Sequence, residues 1–217
     1  MAETSSRQLR VLFIGNSYTQ RNDLPGLIAG LAAVGDPPRE LLSERVIVNG
    51  ASLRRHWNAG AAELIRARPW DVVVLQEQST LPVKNARRYH ENVRLFAGVV
   101  REHGARLVLY LAWARQNAPD TQTVLNQAAE EIAREVNAAI APVGLAWQHA
   151  RAQPDAPELF EPDGSHPTLA GSYLAACVFY GTLFGGNPAG LPAPEPLRIS
   201  DEQLRLLQSA AGKALGL

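Results

Sequence analysis

The chain is short of several things, and each shortage closes off a class of proteins. It has one cysteine, Cys177, so no intrachain disulfide can form and no thiolate cluster can hold a metal. Within "LAACVFYG" that cysteine reads as a small core residue. It has no excess charge: 21 Lys and Arg balance 21 Asp and Glu, and the basic residues form no cluster, so nucleic acid is not an expected partner. It has no apolar run long enough to span a bilayer. The polar start "MAETSSRQLR" precedes only four apolar residues, too few for a signal-peptide core. The expectation is a cytoplasmic chain, unless a leader has been removed from the sequence. No histidine pair or Cys/His group has metal-ligand spacing, so no metal or cofactor is expected. Internal repeats and low-complexity segments are missing too.

What is present is an alternation. Over 217 residues, 46% of them hydrophobic, short apolar runs alternate with longer amphipathic ones, the pattern of βα units around a parallel sheet. The length suits one domain spanning 1–217, with residues 1–8 flexible and 186–217 forming a proline-rich segment plus a C-terminal helix. "LRVLFIG" reads as the first strand, "DLPGLIAGLAAVG" as a helix opened by Asp23 and stopped by Gly35, "ELLSERVIVNG" as the second strand and "LRRHWNAGAAELIRA" as the second helix. "WDVVVLQEQS" is the strongest strand, because its unbroken apolar run suits burial on both faces. Residues 85–103 form a helix, "ARLVLYLAWA" a fourth strand, 121–141 a helix and "VGLAWQHA" a fifth strand. "HPTLAGSYLAACVFYGTLFG" reads as a buried helix with Pro167 in its first turn, and a last helix runs over 201–214. The proline-rich "AGLPAPEPL" and that last helix are candidates to cover a sheet edge or to meet a second subunit. The oligomeric state is not legible.

In such a sheet, functional groups gather at the carboxyl ends of the strands. There the chain carries "GNSYT", "NGAS", "QEQS" and "AWAR". Ser17 alone reads most simply as a turn or cap residue. A nucleophile needs a base, and there are five histidines. His90 and His103 belong to a charged helix and read as solvated, His56 lies among arginines, and His149 has no distinguishing context. His166 differs, because "EPDGSHP" places it three residues after Asp163 in a turn. At that spacing the carboxylate can accept the imidazole Nδ1–H and leave Nε2 free to take a hydroxyl proton. Oxyanion donors are also needed. The candidates are the Ser17 backbone N–H, the Gly50 N–H after the second strand, and a side-chain amide from Gln76 or Gln78. Two amides beside a carboxylate at the end of a buried strand need partners or substrate.

These residues, in this order, resemble the SGNH hydrolases, also called the GDSL esterase/lipase family. The nucleophile block is "IGNSYT", the glycine after the second strand is Gly50, the amide block is "LQEQS" and the DxxH block is "DGSH", together spanning roughly residues 10–185. The resemblance implies a three-layer α/β/α sandwich with a five-stranded parallel sheet in flavodoxin-like order. It also implies Ser17 as nucleophile, His166 as base and then acid, Asp163 as its orienter, and the Ser17 and Gly50 N–H groups as oxyanion donors. Two blocks depart from the family pattern: Asn16 replaces the usual aspartate, and "QEQS" replaces GxND. Alignment by strand end puts Gln78 in place of the family's asparagine. A QGE-type block, as in some carbohydrate acetylesterases of the superfamily, puts Gln76 there, with a lean to Gln76 because it directly follows the strand.

The activity expected is a serine esterase working through an acyl-enzyme on a short-chain ester or an O-acetylated carbohydrate. Tyr18, Trp113 and also Trp57 are candidates to line the substrate pocket. An acyltransferase would use the same triad. A flavodoxin-like phosphate-binding module is the rival from another class, since "SYTQRN" follows the first strand, but it leaves "DGSH" unexplained and lacks a glycine-rich loop. A catalytically dead glycan binder fits less well, because every triad member is present. The "GNSYT" loop also lacks the G-x-S-x-G pattern of the α/β-hydrolase elbow.

Overall fold

A computed structural model describes residues 8–195 and 197–217. In chain order the elements are β1 (Gln8–Gly15), α1 (Ser17–Gln20), α2 (Leu24–Val34), β2 (Glu40–Ile47), α3 (Leu53–Asn58), α4 (Ala61–Ala67), β3 (Val72–Leu75) and α5 (Leu81–Lys84). They continue with α6 (Ala86–Glu102), β4 (Arg106–Tyr110), α7 (Gln122–Val136), β5 (Ala139–Ala141), α8 (Val143–Arg151), α9 (Leu169–Phe184) and α10 (Asp201–Leu215). The five strands are all parallel in the order β2-β1-β3-β4-β5. The expected flavodoxin-like sheet is therefore the one found. The strand order reverses between β1 and β3, and a crevice opens there at the strand ends.

The period of two along each strand builds the layers. Val11, Phe13, Val72, Val74, Val108 and Tyr110 face a core shared with α2, α8 and α9. Leu12, Ile14, Val73, Leu75, Leu107 and Leu109 face the other core, under α3, α4, α6 and α7. The middle strand β3 is apolar at every position, and β1 and β4 are so beyond Arg10 and Arg106, because both faces are covered. Helix α9 is buried nearly all round, because the sheet lies under it while α2, α8 and α10 flank it. Cys177 sits in that helix, fully buried, and desolvation pushes its thiol up to about 12.

Several boundaries differ from those read off the sequence. "VGLAWQHA" is α8, not a strand: its buried Val143, Ala146, Trp147 and Ala150 repeat at i, i+3, i+4 and i+7, the helical period. The fifth strand is the preceding Ala139–Ala141, concealed because alanine carries little β preference, and α7 ends at a left-handed Asn137. The second helix is two, α3 and α4, broken at Gly60, whose φ of +83° suits only glycine well. Asp23 precedes α2 without capping it; its carboxylate pairs with Arg45 at 2.6 Å. Pro167 lies before the first turn of α9, which Thr168 caps. Helix α10 packs on α8 and α9 rather than over a sheet edge, since β2 and β5 are the edges. Of the segment read as flexible, residues 1–7 lie outside the described residues, and Gln8 opens β1. Among the described residues no helix is long and apolar enough to cross a membrane.

Candidate active site

The end of β1 is held by an unusually dense set of polar bonds. The Asn16 side chain accepts the Tyr18 N–H at 3.2 Å, capping α1, and donates to the Ala51 carbonyl at 3.1 Å. The Asn16 backbone N–H donates to the Gln76 side-chain oxygen at 2.9 Å, which also accepts the Thr19 hydroxyl at 3.1 Å. Beneath it, the buried His56 ring bonds the Gly15 carbonyl through Nε2 at 2.8 Å, and burial lowers its pKa. His56 is a neutral strut for the loop. Asn16, in the position where the resemblance expects an aspartate, needs both a donor and an acceptor, and an amide offers both.

This turn presents Ser17 on the floor of a cleft of about 570 Å³ at the switch point. Ser17 Oγ lies 2.9 Å from His166 Nε2, and His166 Nδ1 lies 2.5 Å from Asp163 Oδ2. The other Asp163 oxygen accepts the backbone N–H groups of Ser165 at 2.9 Å and His166 at 2.8 Å. Asp163 is thereby held far below the ordinary aspartate value of 3.8, first by the His166 ring N–H and then by the backbone donors. The chain order Ser17, Asp163, His166 becomes a spatial line of hydroxyl, imidazole and carboxylate.

The loop carrying Asp163 and His166 is braced from outside. The Glu161 N–H donates to the His166 carbonyl at 2.8 Å, and Gly164 turns the chain at a φ of +63°. Tyr18 Oη shares a 2.7 Å hydrogen bond with Ser165 Oγ, and the Trp113 indole N–H donates to the Ser165 carbonyl at 3.0 Å. Tyr18 stacks on Trp113, with ring centroids 4.5 Å apart, and Trp113 stacks on Trp147 at 3.9 Å. Trp113 is thus buried under the loop and does not line the cleft, which corrects its place in the expected pocket; its ring is consumed by stacking on both faces. Trp57 packs edge-on against Phe96, also away from the cleft. Tyr18 reaches the cleft only at its edge and is otherwise buried.

The two glutamines of "QEQS" part company. Gln76 is buried, its oxygen spent on Asn16 and Thr19 and its amide on the Glu77 carbonyl at 2.6 Å. Gln78 lines the cleft, and its oxygen accepts both the Thr80 N–H and hydroxyl at 3.0 Å. That arrangement occupies the oxygen, and among the described residues the NH₂ group has no hydrogen-bond partner. Gly50, in a turn at a φ of +66° with open space where a Cβ would stand, lines the same cleft. Between the glutamines, the buried Glu77 accepts the N–H groups of Leu53 at 3.0 Å and Gln78 at 2.7 Å, and the Asn92 amide at 2.9 Å. Burial raises its pKa despite these donors.

Reading the sequence missed Arg21, Asn22 and Arg115, which also border the cleft. The signal was there for all three, since "SYTQRN" and "AWAR" follow the first and fourth strands. His90 proves to be a packing residue, bonding the Ala128 carbonyl at 2.8 Å, and His103 bonds the Val99 carbonyl at 2.9 Å within its own helix. Among the described residues no three His, Cys, Asp or Glu side chains converge as a ligand set.

No sequence-family model matches the chain, and no curated protein does. Solved structures do match. A DUF4886 family protein from Bacteroides uniformis superposes with a TM-score of 0.80 at 22% identity, covering 96% of this chain and 95% of that one. A provisionally assigned SGNH hydrolase from Slackia heliotrinireducens gives 0.70 at 28% identity, over 81% of this chain and 99% of the other. Axe2, an acetylxylan esterase from Geobacillus stearothermophilus, gives 0.68 at 16% identity, over 81% and 94%. Together with the sheet order 2-1-3-4-5 and the layers on either side, these likenesses give the chain the fold of the SGNH/GDSL hydrolase superfamily.

Proposed function

We propose that the chain is a serine esterase that removes short acyl groups from a polar alcohol. The observation that carries this reading is the unbroken line from Ser17 Oγ through the His166 ring to Asp163, opening onto the cleft. His166 Nε2 takes the Ser17 proton as Oγ attacks the ester carbonyl; Asp163 holds Nδ1–H and favours the imidazolium that forms. The tetrahedral oxyanion is received by the Ser17 and Gly50 N–H groups and by the amide of Gln78, the glutamine that lines the cleft and whose NH₂ has no partner among the described residues. Collapse breaks the bond to the alcohol, whose oxygen takes the proton from His166. Water then adds to the acyl-Ser17 carbonyl, giving its proton to His166, and the acid leaves as Oγ is reprotonated.

The cleft wall supports the substrate class. Among the described residues no aliphatic side chain lines it, and its hydrogen-bonding groups suit a hydroxylated alcohol better than a long acyl chain. The fold neighbour Axe2 is described as an acetylxylan esterase, which is in keeping with an O-acetyl carbohydrate here.

The test is hydrolysis of p-nitrophenyl acetate, butyrate and octanoate by wild type and Ser17→Ala, with mass spectrometry after treatment with a fluorophosphonate. Turnover falling from acetate to octanoate, absent in the variant, with a phosphonyl adduct on Ser17, is the expected result. An unlabelled Ser17 together with unchanged turnover in the variant would remove the assignment.

A further inference from the structure

The cleft carries a charge imbalance that the triad does not use. Arg21 and Arg115 both line it, whereas among the described residues no aspartate or glutamate does. Among the described residues neither guanidinium has an ion-pair or side-chain hydrogen-bond partner. Both are exposed and so remain open to a ligand.

Their placement is specific. The Arg21 N–H donates to the Ser17 carbonyl, and its neighbour Asn22, in the left-handed region at a φ of 54°, donates its amide to the Pro167 carbonyl at 3.2 Å and to Ser172 Oγ at 2.9 Å. Next to Arg115, the Gln116 N–H donates to the Gly164 carbonyl at 2.9 Å. Each arginine therefore rises from a segment bonded to the His166 loop, one just beyond His166 and the other just before it. The oxyanion candidates Gly50 and Gln78 follow β2 and β3 instead. Because His166 protonates the departing alcohol, the alcohol part of the ester lies on the side the two arginines flank.

We infer that the cleft takes esters whose alcohol part carries an anionic group, as an O-acylated sugar acid does, with Arg21 and Arg115 as its receptors. This rests on the esterase reading and narrows its substrate. A guanidinium matches a carboxylate, sulfate or phosphate in geometry as well as charge.

The experiment compares two ester pairs. In the first, acetate release is followed from methyl 3-O-acetylglucopyranoside and from the corresponding glucopyranosiduronate, which differ by a carboxylate on the alcohol. In the second, p-nitrophenyl butyrate and p-nitrophenyl monosuccinate differ by a carboxylate on the acyl group. The expected result is a kcat/KM about tenfold higher for the uronate than for the glucoside, the modest size reflecting two exposed cations. That ratio shrinks toward one in Arg21→Gln/Arg115→Gln, shrinks in about 0.5 M salt, and is kept by Arg134→Gln on the distant α7. No such preference is expected in the second pair. A ratio near one in wild type, a preference that survives the double substitution, or one confined to the acyl pair would overturn the proposal. If wild type hydrolyses none of the four, the esterase reading fails by itself and binding decides the anion site. Calorimetric titration of Ser17→Ala would then show tighter binding of the uronate, lost when both arginines are also replaced; equal binding of the two acetates would refute it.

Discussion

Two carboxylates stand behind residues of the cleft, Asp163 in the loop before α9 and Glu77 just after β3, and they do opposite things. Asp163 is half exposed, with a side chain 48% accessible, and three donors aimed at it keep it ionised. Glu77 is buried at 6%, also holds three donors, and is nonetheless pushed toward protonation by the loss of water. The donor number is equal, so solvation decides the difference. In the proposed mechanism Asp163 orients a ring that must gain and lose a proton; Glu77 ties the end of β3 to the start of α3 and the middle of α6, with Arg54 reaching Asn92 behind it at 3.1 Å. One carboxylate serves chemistry and the other serves shape.

The largest break in this comparison falls on activity. Ser17→Ala and His166→Ala should each lower kcat/KM by about 10⁵-fold, and Asp163→Asn by about 10³-fold, by analogy with triads in which the carboxylate contributes least. Urea unfolding should move by no more than about 1 kcal/mol in any of them. Gln78→Ala should cost about 10²-fold in kcat as a lost oxyanion donor. Gln76→Ala should instead show as a lowered unfolding midpoint, because the Asn16 N–H is left unpaired in a buried place.

Glu77→Ala should reverse the pattern seen for Asp163. It strands the Leu53 and Gln78 N–H groups and the Asn92 amide, so chemical unfolding should report a loss of about 3 kcal/mol, with kcat per folded molecule little changed. Equal stability losses in Glu77→Ala and Asp163→Asn would show that burial does not separate the two.

The two should also part with pH. For Asp163, depressed in the folded state, the stability contributed is present above the ordinary value of 3.8 and is lost as pH falls toward the folded value. For Glu77, raised in the folded state, the contribution is fully present below the ordinary value of 4.5 and is lost as pH rises through the folded value. Unfolding free energies measured from about pH 4 upward should therefore show Glu77→Gln gaining on wild type as pH rises. Asp163→Asn should gain on wild type only when the measurements are carried below pH 3.8, toward the folded value. The smallest effect is Tyr18→Phe, which removes the hydrogen bond to Ser165 Oγ and should cost about 1 kcal/mol, with a modest loss of activity as the loop loosens.

The catalytic candidates were legible because their chemistry is local. Asp163 and His166 need only a three-residue turn, and Ser17 needs only the end of a strand. The strands were legible where burial on two faces leaves an apolar run, as in Val72–Leu75. Three-residue β5 was not, because Ala139–Ala141 is shaped by its pairing with β4 rather than by its own residues. Gln76 and Gln78 could not be told apart from sequence, since a two-residue offset after the strand decides which amide meets the loop and which meets the cleft. The wide aromatic rings of Tyr18 and Trp113 suit a sugar or a stack equally well on paper; only the overlap with Trp147 uses them up.

What the sequence by itself determined is the sheet class and the candidates for the reacting groups, because apolar periodicity and short-range hydrogen bonding act within a few residues. What only the tertiary structure decided is which polar groups are spent on the protein and which face the cleft. Arg21 and Arg115 lie 94 positions apart in the chain and border one cleft. The reason is physical: hydrogen-bond satisfaction and charge balance are summed over neighbours in space, and parallel strands joined by crossover helices bring those neighbours from distant parts of the chain.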